Sequence, residues 1–475
     1  MKPFITLIAA LSATIIATGA ELRLPDIFSD HMVLQQQSKA RIWGNAAPGA
    51  RVEAVGSWAP ESPISAKAGK DGRWRLEIPT GEAGFEPQTL RLASGRDTVT
   101  ISDILIGEVW FASGQSNMEM PLRGFWTQPV EGAAQAIAFS GKYPGIRMAT
   151  IPKTISYDLQ TEVPTEWKIS SPENAVNFSA TAYFFARNLS DLLNVPVGII
   201  CSAYGGSKVE GWLSRERLES YKTWDREAER NNDIMPDYER FNAMYNAMLH
   251  PLAGYTIRGF IWNQGESNVG MHDSYHTRLA DMVADWRSEW GLGELPFYMV
   301  EIPGWNYGNP AGDSAALLRE SQHKAADIIP SCGIVCTSDL VYPREVDDIH
   351  ACKKAEIGER LAFMAAAKTY HMPGIPHEYP RFKEMTVDGS RAILTFSGAP
   401  DGLSPHENIE GFEAAGADGI FHPAQVRQNT WTLHVELYCP KAGTIKSVRY
   451  NFRNFAIGKV HNLMGLPLIP FRTDK

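Results

Sequence analysis

The central part of this chain, from about residue 105 to 372, alternates short apolar runs with segments of helical periodicity. The strand-length runs are ILIGEVWFA, VGIICSA, IRGFIWN, PFYMVEI and CGIVCTS. Helix-length segments between them include SATAYFFARNLSDLL and SYHTRLADMVADWRSEW. In the second, one apolar stripe is formed by Tyr275, Leu279, Met282, Trp286 and Trp290. This alternation predicts an α/β domain whose parallel sheet is covered by helices on both faces.

The two flanking regions have β-type patterns instead. RWRLEI (73–78) alternates apolar and charged residues, and the turn signal Asp71-Gly72 precedes it. The tail alternates again in WTLHVEL (431–437) and SVRYNF (447–452). We therefore expect a sandwich-like β-region over residues 21–104, the α/β domain over 105–372, and a second β-rich region over 373–475.

The first twenty residues, MKPFITLIAALSATIIATGA, differ from the rest of the chain. Lys2 is followed by an apolar stretch that is short for a membrane span and then by small residues ending at Ala20. This layout is typical of a cleaved signal peptide and predicts a secreted or periplasmic protein, with an N-terminal membrane anchor as the alternative. No later stretch is long and apolar enough to cross a membrane.

Charge and cysteine content limit the class of partner and of site. The net charge of −9 argues against nucleic acid or anionic lipid as a partner. Five cysteines are a sparse, odd set, which predicts buried free thiols rather than a disulfide framework or a zinc site. No oligomeric state follows from the sequence.

Polar, glycine-rich segments follow successive strands of the predicted sheet. Ser116 follows the first strand in FASGQSNMEM, Tyr-Gly-Gly-Ser (204–207) follows the second, and Asn-Gln-Gly-Glu-Ser-Asn (263–268) follows the third. Asp-Asp-Ile-His (347–350) comes after the last strand and before the helical pattern ACKKAEIGERLAFMAAA. Because the carboxyl ends of parallel strands share one edge, these segments are expected to converge there.

A serine at this edge would need a base, and His350 is the best placed of the twelve histidines. Asp347 and Asp348 both lie within three residues of it, and a carboxylate beside the ring would orient it. Glu266 is a further acid that would support His350, bind substrate or cap a helix. The residues alone leave these alternatives open.

Acyl transfer would also need donors for an oxyanion. Gly205-Gly206 permits close approach of the backbone, the Ser116 amide would add a second donor, and Gln264 or Asn268 a third. The α/β-hydrolase elbow G-x-S-x-G does not fit, because its last position is Met118. His272 and His276 lack the glutamate of H-E-x-x-H, so no catalytic zinc is expected.

Four blocks together resemble the sialate O-acetylesterase family of SGNH-type serine esterases, which is related to acetyl xylan esterases. The blocks are Gly-Gln-Ser-Asn-Met (114–118), Tyr-Gly-Gly-Ser (204–207), Trp-Asn-Gln-Gly-Glu-Ser-Asn (262–268) and Asp-Ile-His (348–350). FSDHMVLQ (28–35) and GLPLIPFRTD (465–474) extend the resemblance to the β-regions. It implies an SGNH-type three-layer α/β/α core and an esterase that uses neither a metal nor an organic cofactor.

The resemblance also implies roles for single residues. Ser116 would be the nucleophile and His350 the general base, through an acetyl-enzyme intermediate. The amides of Ser116 and Gly206, with Gln264, would stabilise the oxyanion.

We expect Asp347 to be the acid that supports His350, with its neighbour Asp348 as the alternative. The general SGNH spacing D-x-x-H favours Asp347, whereas Asp348 aligns with the family's acid. A serine–histidine dyad supported by another group is the third alternative.

The implied substrate is O-acetylated sialic acid or a sialoglycan. Glu266, Asn268 and Gln115 are expected to bind it. An esterase for acetylated polysaccharide such as xylan, and a glycan-binding protein with an inactive esterase-like domain, are the alternatives. Possible sugar-stacking or carboxylate-binding side chains are Trp126, Trp212, Trp305, Arg123, Lys208 and Arg344.

Overall fold

The computed structural model describes residues 21–309 and 312–474, so the predicted signal peptide lies outside the described residues. The N-terminal region is built from strands alone, apart from turns. These strands are β1 (Val33–Gln35), β2 (Lys39–Asn45), β3 (Arg51–Gly56), β4 (Ile64–Lys67), β5 (Arg73–Pro79), β6 (Gly84–Ser94) and β7 (Asp97–Gly114).

The predicted alternation in RWRLEI is confirmed in β5. Trp74, Leu76 and Ile78 are buried, while the charged residues between them are exposed. β5 pairs antiparallel with β2, and β3 pairs with β4 and β6. The result is a small β-module, whose buried apolar residues form one core together with residues of the region that follows it.

One long strand joins this module to the α/β region. β7 has 18 residues; its first half pairs antiparallel with β6, and its second half is the middle of the parallel sheet. The predicted boundary between residues 104 and 105 therefore falls inside a single strand. The N-terminal module also packs against the α/β region, as Phe28 stacks on Tyr255 with ring centroids 5.5 Å apart.

The α/β region follows directly from β7. Its helices and strands are α1 (Ser116–Glu119), α2 (Ala133–Phe139), β8 (Ile146–Thr150), β9 (Trp167–Ile169), α3 (Pro172–Ala175), α4 (Ala180–Leu193), β10 (Val197–Ala203), α5 (Arg215–Ser220), α6 (Arg226–Arg230), β11 (Gly259–Asn263), α7 (His272–Trp290), β12 (Phe297–Val300), α8 (Ser314–Ile328), β13 (Cys332–Val335) and α9 (Lys354–Lys368).

The central sheet has the order β13-β12-β11-β7-β10-β8-β9, and all neighbours are parallel except the edge strand β9. All five predicted strand runs are strands of this sheet. Alternate residues of β7 face different cores: Phe111 packs with α7, whereas Trp110 packs with α4 and α9. The expected three-layer α/β/α arrangement is confirmed.

The helical stripe is confirmed as well. All five of its apolar residues are buried in α7. The helix ends at Trp290 and is followed by Gly291, whose φ of 57° is the left-handed conformation that favours glycine after a helix.

The C-terminal region is again built of strands and has its own core. Two four-stranded antiparallel sheets dominate, with orders β14-β15-β20-β19 and β18-β17-β21-β23. The strands are β14 (Arg381–Asp388), β15 (Arg391–Ser397), β16 (Leu403–Ser404), β17 (Phe412–Ala415), β18 (His422–Pro423), β19 (Gln425–Gln428), β20 (Val435–Tyr438), β21 (Ser447–Tyr450), β22 (His461–Asn462) and β23 (Phe471–Arg472).

One predicted strand here is partly wrong. In WTLHVEL only the part from Val435 is a strand, because Trp431 and Thr432 lie in a turn. The Asn429 side chain closes this turn by accepting hydrogen bonds from both backbone amides. Asparagine favours such local hydrogen bonds over a strand ladder.

All five cysteines are buried free thiols, as predicted. Within residues 21–309 and 312–474, no helix has both the length and the apolar character needed to cross a membrane.

Candidate active site

Ser116 lies at the carboxyl edge of the sheet, at the first position of α1. Gly114, which ends β7, has a φ of 143°, and a Cβ there would lie 2.1 Å from the Asn263 carbonyl oxygen. Only glycine fits this close approach. The turn is fixed on both sides: the Gln115 amide donates to Asn263, and the Tyr204 amide donates to Gly114, each at 3.0 Å.

The glycine pair after β10 lies beside Ser116, as predicted. A Cβ added to Gly205 would lie 3.4 Å from the Ser116 Cβ. The Gly205 amide donates to Glu119 Oε2 at 2.7 Å, and Glu119 also pairs with Lys153 at 2.8 Å. The second strand end therefore approaches the serine.

Two backbone amides in the serine turn and the glycine turn have no acceptor among the residues described. The Ser116 and Gly206 amides donate to no acceptor within the described part of the chain. Gly206 has a φ of 82°, and a Cβ there would lie 2.9 Å from the ring of Tyr238. Its backbone therefore adopts a conformation that a side chain would disturb.

The structure does not support Gln264 as a third oxyanion donor. Its side chain is fully buried, and its amide group donates to the Ser207 carbonyl at 3.1 Å and to Asn268 Oδ1 at 2.7 Å. Both amide hydrogens are therefore engaged inside the protein. Gln264 holds the segments after β10 and β11 together.

Two predicted substrate-binding residues are also buried and engaged with the protein. Gln115 Oε1 accepts the Gly265 amide at 3.2 Å, and the Asn268 amide group donates to Glu210 at 2.9 Å. Their exposed fractions are 2% and 1%. These side chains support the edge of the sheet, and the expectation that they contact substrate is not supported.

Glu266 belongs to a buried network beneath the serine. Asn117 donates to Glu266 Oε1 at 2.5 Å and to the Ile349 carbonyl at 3.1 Å, and Lys354 donates to Asn117 Oδ1 at 2.5 Å. Burial raises the pKa of Glu266 and lowers the pKa of Lys354 to about 8. The network joins the serine turn to the loop that carries His350. Glu266 is bonded to Asn117 and not to the histidine ring.

The ring of His350 is held from one side. Its Nδ1 lies 2.6 Å from Gln128 Oε1, and the Phe125 ring packs edge-on against it with centroids 5.1 Å apart. Its Nε2 is buried and has no hydrogen-bond partner among the described residues. Burial and the positive charge of Lys354 lower the pKa of His350 to about 4, so the ring is neutral at pH 7. The helix α9 begins at Lys354, so His350 lies in the preceding loop rather than in its first turn.

Of the two neighbouring acids, Asp348 approaches the histidine and Asp347 does not. Asp348 Oδ1 accepts the Gln128 amide group at 2.7 Å and the His350 backbone amide at 3.0 Å. Asp347 is exposed and contacts Asn306 at 3.3 Å. The choice of Asp347 from the D-x-x-H spacing is therefore wrong for this geometry, because that carboxylate faces solvent.

The tryptophans differ in position. Trp126 is 91% exposed, at the tip of the turn that carries Gln128. Trp212 is fully buried, and its ring nitrogen donates to Ser207; Trp305 is half-buried. Of these three predicted tryptophans, Trp126 alone has an exposed ring.

The predicted cations lie mostly outside the site. Arg123 is exposed and donates to Asn177, Arg344 stacks on the ring of Tyr342, and Lys208 is half-buried. Lys153, which sequence reasoning missed, pairs with Glu119 directly beside the Gly205 turn.

Gln128 and Lys354 were also missed. Lys354 had a detectable signal, because it shares the apolar stripe of α9 with Ile357, Gly358 and Leu361, and a lysine on a buried stripe needs a partner. Gln128 had none, since 222 residues separate it from His350.

This architecture is that of an SGNH-type α/β/α hydrolase. The serine follows the central strand, glycine amides lie beside it, and a histidine is supplied by the loop after the last strand. The fold and the site thus define the class as an ester hydrolase.

Comparisons with known proteins specify the family. A family model described as carbohydrate esterase, sialic acid-specific acetylesterase matches residues 106–367. The sialate O-acetylesterase of Homo sapiens is 26% identical over 415 residues, covering 80% of this chain and 77% of that protein. The corresponding protein of Mus musculus is 25% identical over 437 residues, covering 80% of each. A crystal structure of a carbohydrate acetylesterase from Xanthomonas citri has a TM-score of 0.84 and 31% identity, and covers 96% of this chain and 100% of that one.

This chain belongs to the family of sialic acid-specific acetylesterases among the carbohydrate esterases. It is a carboxylic ester hydrolase.

Proposed function

We propose that this protein is a secreted esterase that removes O-acetyl groups from sialic acids through an acetyl-enzyme on Ser116. The observation that carries the proposal is the Gly205-Gly206 turn beside Ser116 at the carboxyl edge of the sheet, where a Cβ on Gly205 would lie 3.4 Å from the Ser116 Cβ. Secretion rests on the signal-peptide pattern of residues 1–20.

In the first half-reaction, Ser116 Oγ attacks the acetyl carbonyl carbon while His350 Nε2 takes the hydroxyl proton. The tetrahedral intermediate then breaks its bond to the sugar oxygen, which receives that proton from His350. The sugar leaves with a free hydroxyl, and the acetyl group remains on Ser116.

In the second half-reaction, a water molecule gives a proton to His350 Nε2 and attacks the acetyl-enzyme. Collapse of this intermediate releases acetate and returns the proton to Ser116 Oγ. The amides of Ser116 and Gly206 would stabilise the negative oxygen in both steps. Removing one such donor typically lowers kcat by about a hundredfold.

Sialic acid is the first-choice sugar because the family model and the curated relatives are described by that substrate. Its carboxylate would need a cation, and Lys153 is half-exposed near the Gly205 turn. The pairing of Lys153 with Glu119 implies that a substrate carboxylate would compete with a protein carboxylate for it.

An acetylated neutral polysaccharide is the second candidate. The solved relative from Xanthomonas citri is described as a carbohydrate acetylesterase, and it is more similar over a longer part of the chain. The exposed ring of Trp126 is suited to stacking on a neutral sugar.

The test compares acetate release from O-acetylated sialic acid and from acetylated xylan by the wild type, Ser116→Ala and Ser220→Ala. Ser220 is exposed in α5 and is the matched control. We expect faster release from the sialic acid by the wild type and the control, and a loss of more than about a hundredfold in Ser116→Ala.

Full activity in Ser116→Ala would refute the mechanism. A preference for xylan would retain the mechanism and change the substrate. A wild type that binds glycans but releases no acetate would instead favour the glycan-binding alternative.

A further inference from the structure

We propose that Gln128 is a positioning residue that links the carboxylate of Asp348 to the ring of His350. The acid then orients the histidine through the Gln128 amide and not by direct contact. This inference rests on the proposed serine-esterase mechanism and adds a residue to it.

Two short hydrogen bonds form the connection. The Gln128 amide nitrogen lies 2.7 Å from Asp348 Oδ1, and the Gln128 amide oxygen lies 2.6 Å from His350 Nδ1. One planar amide group therefore spans from the carboxylate to the ring. Asp348 also accepts the His350 backbone amide at 3.0 Å, which holds the carboxylate in its own loop.

The chemistry of the three groups determines the direction of both bonds. An ionised carboxylate can only accept, so the NH₂ end of the Gln128 amide faces Asp348. The carbonyl end then faces the ring and can only accept from it. The proton of neutral His350 is therefore on Nδ1, and the lone pair is on Nε2, the tautomer that a general base needs.

The backbone that carries Gln128 is built to hold this position. Phe125 and Gln128 exchange two backbone hydrogen bonds, at 3.0 and 3.2 Å, which closes a tight turn. Thr127 within it has a φ of 61°, an unfavourable conformation for a β-branched residue. A Cβ at the preceding Gly124 would lie 2.4 Å from the Gln128 carbonyl oxygen.

The same turn contacts the ring twice, through the Phe125 ring and the Gln128 amide. Strained residues persist where the surrounding structure holds them, and they are frequent at active sites. The turn therefore has the features of an element that orients His350.

The two hydrogen bonds from Asp348 through Gln128 to His350 also explain why replacing Asp348 with asparagine would lower the activity. In Asp348→Asn, residue 348 can donate as well as accept, so the Gln128 amide is free to rotate. Its NH₂ end can then face His350 Nδ1 and hold the ring in the tautomer whose Nε2 carries the proton. That tautomer cannot accept the serine proton.

Exchanging the two groups restores the direction of the bonds. In Gln128→Glu/Asp348→Asn, the carboxylate at 128 accepts from His350 Nδ1 and from the amide at 348. The charged groups that face the ring are then this carboxylate and Lys354 of α9, with Glu266 behind Asn117. A carboxylate in direct contact stabilises the imidazolium, so the acid limb of the activity profile moves to higher pH.

The experiment measures kcat, KM and the pH profile on para-nitrophenyl acetate, which needs no sugar site. The variants are Gln128→Ala, Asp348→Asn, the exchange variant and Gln425→Ala, an exposed glutamine of β19 that serves as control. Gln128→Ala and Asp348→Asn are expected to lose about tenfold or more in kcat with KM within about twofold. The exchange variant is expected to recover most of the loss of Asp348→Asn, with its acid limb shifted upward.

Three results would overturn the inference: kcat of Gln128→Ala within about twofold of the control, an exchange variant no more active than Asp348→Asn, or an unshifted acid limb. The exchange variant keeps the two hydrogen bonds that residue 128 makes, one with residue 348 and one with His350 Nδ1, so it remains informative even where Gln128→Ala loses thermal stability. Ser116→Ala in the same assay separates the two proposals, because its full activity would refute the serine mechanism itself.

Discussion

Replacing the buried residues Lys354 and Glu266 tests how the two charges together change the free energy of unfolding. Both residues bond to Asn117 beneath the serine turn, and Lys354 is fully buried. Desolvation by burial is the main cause of both pKa shifts. It lowers the pKa of Lys354 from 10.5 to about 8 and raises the pKa of Glu266. Both shifts favour the neutral form, so desolvation outweighs the attraction between the two charges.

The size of this penalty follows from the lysine. A shift from 10.5 to about 8 corresponds to about 3 kcal/mol against the protonated lysine in the folded state. Because the folded pKa lies below the unfolded one, the penalty is complete below pH 8 and is relieved as the pH rises towards 10.5. The lysine's contribution to the free energy of unfolding therefore increases over that range.

Lys354→Met alone leaves the Glu266 carboxyl buried without a cation and Asn117 Oδ1 without its donor. We expect the free energy of unfolding at pH 7 to fall by about 3 kcal/mol. Lys354→Met/Glu266→Gln removes both charges, and the new amide oxygen still accepts from Asn117. Its free energy of unfolding is expected within about 1 kcal/mol of the wild type, because the relieved desolvation offsets the lost hydrogen bond.

The assay is urea denaturation followed by tryptophan fluorescence, with the single variants, the double variant and the wild type compared at pH 7. Equal m-values across the four proteins check that the same transition is measured. Effects of the two single changes that add to within about 0.5 kcal/mol in the double variant would refute the reasoning, since they would show no coupling between the residues.

Three further outcomes follow from the geometry. First, neutral His350 is the proposed base and its pKa is lowered to about 4, so kcat/KM should be constant from about pH 6 to 7 and fall as the pH drops towards 4, measured as a pH profile on para-nitrophenyl acetate. A midpoint near 6.5 would contradict the burial argument. Second, Trp126→Ala should raise KM for a polymeric acetylated glycan several-fold and leave hydrolysis of the small ester unchanged, since its ring is exposed at the tip of the turn and a small ester has no sugar to stack on it. Equal effects on both substrates would argue against sugar stacking. Third, Gly206→Ala should lower kcat by about tenfold or more with little change in KM, because the φ of 82° and the Tyr238 ring oppose a Cβ at this position. Steady-state kinetics is the measurement, and an unchanged kcat would argue against Gly206 as an oxyanion donor.

Local patterns predicted the architecture well. Each of the five apolar runs is a strand, and the stripe from Tyr275 to Trp290 is the buried face of α7. These predictions succeed because burial against a sheet requires a periodicity that is visible within ten to twenty neighbouring residues. The meeting of Ser116 with the Gly205 turn was predictable for the same reason, since parallel strands place their carboxyl ends at one edge.

The same local patterns failed where side chains compete for partners. Gln264 and Asn268 are polar residues at a strand end, which is what a donor to substrate would be, yet they bond to each other at 2.7 Å and are buried. Sequence shows that an amide lies near the site; it does not show which acceptor lies within 3 Å of it.

The sequence by itself determined the β, α/β, β order of the chain and the meeting of the segments after the strands at one edge of the sheet, because strand and helix periodicity and strand-end glycines are local properties. Only the tertiary structure decided that Asp348 rather than Asp347 connects to the His350 ring, and that Gln128 lies between Asp348 and that ring. The physical reason is that hydrogen bonds depend on ångström distances and directions between loops far apart in the chain. Those loops are positioned by the packing of the whole α/β core.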